Sequence, residues 1–175
     1  MISKPEKIIK RIIKAVGERQ AVLVLGKWQE ELIKGIKEKQ NAISITKDGS
    51  DKLPFEDNSV TRIIADYSSP IFNDENFFFN EARRLLLPTG MVIISANCIE
   101  GILDKVSNLF KKGPTKKEEG VKEIKPKLLQ DQIHDNGFLI DGYYGYPGGH
   151  LLMMAQIQNK NVSTLFTSEK QETTI

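Results

Sequence analysis

The chain has 175 residues, enough for one domain with a sizeable core, and its 25 basic and 23 acidic side chains nearly cancel. That balance gives no nucleic-acid signal. A single cysteine, Cys98, excludes an internal disulfide framework and a cysteine-based zinc cluster, and no apolar run approaches the roughly 20 residues of a membrane span. Lys10 and Arg11 interrupt the pairs Ile8-Ile9 and Ile12-Ile13, so the amino end lacks a signal-peptide core and the sequence reads as cytoplasmic.

Residues 5–17 pattern as a basic amphipathic helix. Ile8, Ile9, Ile12, Ile13 and Val16 form one stripe, Lys7, Lys10, Arg11 and Lys14 stand opposite, and Ser3 precedes it as a cap. The expected role is a helix packed on a sheet rather than on a membrane. Residues 21–25 (AVLVL) read as a buried strand ended by Gly26. Residues 28–39 follow as a helix with Leu32, Ile33 and Ile36 inward, and 41–46 as a second strand. A polar turn region runs from 47 to 52, with Asp48-Gly49 as a solvated turn.

After Leu53-Pro54-Phe55 comes the turn Glu56-Asp57-Asn58-Ser59 and an apolar run over 60–67. A helix is predicted over 74–87, capped by Asn73 or Asp74, with Phe78, Ala82, Leu85 and Leu86 toward the sheet and Arg83 and Arg84 outward. Pro88-Thr89-Gly90 stops it, Gly90 offering a positive φ, and 91–95 is another apolar run. Strand, helix and strand make a βαβ unit with a right-handed crossover.

Residues 99–110 read as a helix, 111–125 as a charged mobile loop, and 126–136 as a helix with Leu128, Leu129 and Ile133 apolar, ended at Asn136-Gly137. Residues 138–146 and 150–158 form a hairpin across Pro147-Gly148-Gly149. Tyr143, Tyr144 and Tyr146 beside that turn form a sticky surface or cover the sheet edge. The domain is expected to span 1–158, with 159–175 a flexible polar tail.

The stretch LPFEDNSV…RII…ENFFFNEARRLLLPTGMVIIS resembles the centre of class I S-adenosylmethionine (SAM) methyltransferases of the type 11 kind. The family's E-x-x-R-x-L-x-P-x-G ending is matched from Glu81 through Arg84, Leu86 and Pro88 to Gly90. The resemblance implies a three-layer α/β/α Rossmann-like fold, mostly parallel, with a C-terminal antiparallel hairpin. It also shows departures. The family's D/E-x-G-x-G-x-G loop is Leu25-Gly26-Lys27-Trp28-Gln29-Glu30 here, with one glycine retained, bulky Lys27 and Trp28 in the ligand's place, and no acid in the strand. One helix–strand unit is missing between Gly26 and Leu53, and the ribose-binding acid is unassigned. Asp48 or Asp51 matches the family's adenine-contacting acid, so a cofactor site would comprise Gly26, Asp48, Asp51 and Leu53. The segment 111–125 corresponds to a substrate lid in active relatives, with a solvated loop as the plainer reading.

His134 and His150 stand far apart, without the carboxylates of a metal motif, and neither a nucleophile elbow nor a phosphate-binding loop occurs. Asp66, in Asp66-Tyr67-Ser68-Ser69-Pro70, is the candidate catalytic base, the plainer reading being a turn cap. Two functions stand first, with a regulatory partner subunit for an active relative as a third. One is a degenerate, cofactor-free domain that binds a protein partner, similar to the N-terminal domain of anamorsin-type proteins but without their cysteine-rich motifs. The other is a SAM-dependent methyltransferase with an altered cofactor grip.

Overall fold

The computed structural model describes residues 5–26, 28–40, 52–98, 122–146 and 149–158, and the backbone of 42–46. Ser3, Lys27, Asn41, Asp48, Asp51, the helix expected over 99–110, most of the 111–125 loop, Pro147-Gly148 and the tail from 159 lie outside them.

The order is α1 (Glu6–Val16), β1 (Ala21–Leu25), α2 (Glu30–Lys37), β2 (Ala42–Thr46), β3 (Val60–Asp66), a 3-10 turn (Pro70–Asn73), α3 (Glu75–Leu85), β4 (Leu86–Cys98), β5 (Glu123–Ile124), α4 (Pro126–Asp135), β6 (Phe138–Tyr146) and β7 (His150–Ile157). The strands form one seven-stranded sheet in the order β2-β1-β3-β4-β7-β6. β2, β1, β3 and β4 run parallel, and β7 and β6 add as an antiparallel pair. β7 holds one edge of β4, so β5 takes the other edge at Asn97 and Cys98, where β3 has ended at Asp66.

The crossover β1–α2–β2 steps one way along the sheet and β3–α3–β4 the other, so right-handed connections place α2 and α3 on opposite faces. The core divides accordingly. Val22, Val24, Ile64 and Ile93 meet Ile8, Ile12, Leu32 and Ile36 on one face. Leu23, Ile63, Val92 and Met153 meet Phe78, Phe79, Leu129 and Phe138 on the other. Strands buried on both sides are apolar at nearly every position, as β1 is.

Several sequence expectations change. The helix predicted over 28–39 covers only Glu30–Lys37, and Trp28 belongs to the turn before it. Ile33 is half-buried, off the Leu32–Ile36 stripe. α3 stops at Leu85, and Pro88-Thr89-Gly90 lies inside β4 rather than breaking the chain. Gly90 is not in the left-handed region. A Cβ there would come within 2.8 Å of the Leu86 side chain and the Leu87 carbonyl, so close approach demands the glycine. The 111–125 loop ends in β5, whose two residues extend the parallel sheet beside β4. Leu128 of α4 faces outward, 51% exposed.

Candidate functional site

The carboxyl ends of parallel strands gather loops and unsatisfied backbone groups, so a site is sought there first. At the tip of β1, Gly26 adopts φ +97°, a conformation open mainly to glycine. Trp28 folds back over this tip. Its indole N–H donates to the Leu25 carbonyl at 2.9 Å, and its ring joins the α1–α2 core at 5% exposure. The turn is therefore closed by a large side chain rather than opened by glycines. β1 itself offers no acid, and Val22 to Leu25 are all buried.

At the tip of β3 the chain turns sharply. Asp66 is fully buried, and its Oδ1 accepts from both the amide and the hydroxyl of Ser68, while the Ser69 amide closes onto the Asp66 carbonyl. The turn-cap role of Asp66 is thus present in the geometry. Asp66 lies in register with Ser95 of β4. The two-residue period of a strand puts Ile64 with Asp66, Ile93 with Ser95 and Asn97, and Leu152 with His150 on the α1–α2 face. Nδ1–H of His150 donates to Oδ1 of Asn97 at 2.8 Å, the amide oxygen being able only to accept. A polar row of Asp66, Ser95, Asn97 and His150 thus crosses β3, β4 and β7. Among the described residues no cluster of His, Cys, Asp and Glu could hold a metal ion.

On the opposite face, the Tyr67 hydroxyl donates to Glu75 Oε1 at 2.6 Å. Gln132 donates to the other Glu75 oxygen, and Lys122 stands 4.5 Å over the Tyr67 ring. Burial, and then the Glu75 carboxylate, push the phenol up to about 12. Tyr67 therefore stays neutral at ordinary pH and is no general base.

A further cluster was hidden in the sequence. Arg84, expected on the outer side of α3, is turned inward. Its Nε and terminal nitrogen reach both Glu81 oxygens at 2.9 and 2.7 Å, and it also donates to the carbonyls of Leu53 and Phe55 and to Asp57. The Leu53 amide donates back to Glu81 at 2.9 Å. Glu81 and Arg84 thereby bolt the Leu53–Asp57 turn to α3. The bond from Arg84 holds the Glu81 carboxyl below its usual range, and Glu81 raises the Arg84 guanidinium. Leu53, a candidate cofactor residue, is buried in this clamp with both backbone polar groups engaged. The signal for the clamp was the Glu81–Arg84 spacing, one helical turn beside an acid-rich loop. Arg83 instead reaches the Asn136 carbonyl at the end of α4.

Residues 13–94 match the sequence model of a methyltransferase domain. No curated protein matches the chain by sequence. Solved structures match it in fold. The Burkholderia thailandensis 1,6-didemethyltoxoflavin-N1-methyltransferase, bound to 1,6-didemethyltoxoflavin and S-adenosylhomocysteine, superimposes with a TM-score of 0.65 at 12% identity, over 88% of this chain and 78% of that one. This chain has a class I methyltransferase fold. A SAM-dependent methyltransferase from Aquifex aeolicus gives 0.55 at 18% identity, covering 88% and 94%. A Haloferax volcanii structure, the complex of the Trm112 methyltransferase activator with a putative methyltransferase, gives 0.56 at 15% identity, covering 86% and 88%.

Proposed function

We propose that this methyltransferase-like chain works as a cofactor-free module that binds a protein partner. One observation carries the reading: the Trp28 indole is packed over the tip of β1 and hydrogen-bonded to Leu25, where the family leaves bare backbone for the cofactor. The residues present do not fit SAM at that point. Further support comes from the acid-free β1 and from the short interval of residues 47–59 between β2 and β3, too few for the family's extra helix–strand unit. The Haloferax neighbour, seen in complex with an activator protein, offers a precedent for partnering on this fold. Isothermal calorimetry with SAM and S-adenosylhomocysteine tests the reading, with no saturable heat expected. Saturable binding would overturn it.

The second reading, a SAM-dependent methyltransferase, is favoured by the polar row of Asp66, Ser95, Asn97 and His150 at the carboxyl end of the sheet. On that reading Gly26, Asp48, Asp51 and Leu53 hold the cofactor, and Asp66 serves as the base.

A further inference from the structure

The missing helix–strand unit leaves a mark on the surface. In the described residues β2 pairs with β1 and ends the sheet. A further right-handed unit beyond β2 would place its helix beside α2, on the α2 face. On that flank α2 carries a groove of about 310 Å³ lined by Trp28, Glu30, Ile33, Lys34, Lys37 and Glu38. The direction of the flank follows from the helix itself. Gly35 faces α1, since a Cβ there would strike the Ile13 side chain. Successive helix residues turn by about 100°, which sets Ile33 and Lys37 on the side away from α1, toward β2.

The two ends of the sheet are guarded differently. β6 carries a register shift between Ile140 and Gly142 and an exposed Asp141, both devices that deter edge pairing. The β2 sequence AISIT has no charge and no proline. Its neighbouring groove is apolar at Trp28 and Ile33, and its rim holds two lysines and two glutamates. A rim of both signs suits one partner especially well: itself, turned by a two-fold axis.

We infer that the β2 edge and the α2 groove form a homodimer interface. A two-fold axis normal to the sheet pairs β2 antiparallel with β2 of a second copy and sets the two α2 helices side by side, antiparallel, on the same face. Glu30, at the start of one helix, then meets Lys37 near the end of the other, twice over. Ile33 sits near the axis.

The inference does not depend on whether SAM binds. Sedimentation equilibrium of the full chain tests it. The wild type is expected at twice the chain mass. Lys37→Glu puts two acids at the contact and Glu30→Lys two bases, so each alone is expected to weaken self-association roughly tenfold or more. An equimolar mixture of the two is expected to restore the dimer, which general damage to folding would not. Ile33→Asp is expected to give a monomer. A wild type that stays monomeric at the highest soluble concentration overturns the inference, as does a dimer that none of the three substitutions weakens, or a mixture that remains monomeric.

Discussion

The α2 side and the α3 side of this molecule share one sheet and differ in how their strand-to-helix turns are held. On the α3 side polar groups do the holding: Asp74 caps the helix at the Phe77 amide, Asp66 caps the turn before it, and Glu81 and Arg84 clamp the incoming loop. On the α2 side an aromatic ring does it, with Trp28 folded back over the tip of β1, and the N-cap Gln29 makes no side-chain cap bond to α2. A turn held by backbone and short polar groups keeps its mouth open to ligands. A turn held by an indole spends that space on packing. The difference leaves a single glycine, Gly26, at the tip of β1 and polar side chains at the tip of β3.

The largest expected effect breaks the comparison on the α2 side. Trp28→Ala removes a buried indole and should cost about 4 kcal/mol in urea unfolding, mostly as a cavity. If the turn were instead held by its backbone, the loss would fall near that of a surface change.

Next comes the clamp. Arg84→Ala leaves Glu81 buried without its bidentate partner and should cost about 3 kcal/mol. Arg84→Lys should recover only part of this, because an ammonium cannot span both oxygens. The same pair sets a pH dependence. The Glu81 carboxyl is held below its ordinary value of 4.5, so its contribution is present above that pH and is lost as the pH falls through the lower folded value. Denaturant melts should show wild-type stability dropping on acidification, with the drop reduced in Glu81→Gln.

The smallest effect sharpens the picture at the Tyr67–Glu75 contact. Tyr67→Phe should cost about 1 kcal/mol at neutral pH. The phenol is raised from 10.0 to about 12, so the folded state holds its proton more tightly and stability should fall as pH rises between those values. Spectrophotometric titration should show a late-ionising component that is absent from Tyr67→Phe.

Much of the fold was legible because strand and helix periods are local. The buried run of β1, the α3 stripe through Phe78, Ala82 and Leu85, and the closing hairpin all follow from patterns a few residues long. The end of α3 was misplaced because Pro88 and Gly90 look like stop signals, yet β4 begins already at Leu86, where Val60 pairs with it. Arg84 was misread because helix position alone favours a solvated cation near the C-terminus, and only the Leu53–Asp57 loop, far along the chain, supplies its partners. The candidate site divides similarly. The single glycine after β1 stood in the sequence, but not the direction the indole would take.

The sequence by itself determined the βαβ units, the single glycine after β1 and the absence of an acid in that strand, since each rests on residue type and spacing. Tertiary structure alone decided that Trp28 packs inward, that Glu81 and Arg84 bind a distant loop, and that Asp66, Ser95, Asn97 and His150 align across three strands. Such contacts join residues far apart in the chain, and their energies depend on burial that exists only once the sheet has assembled.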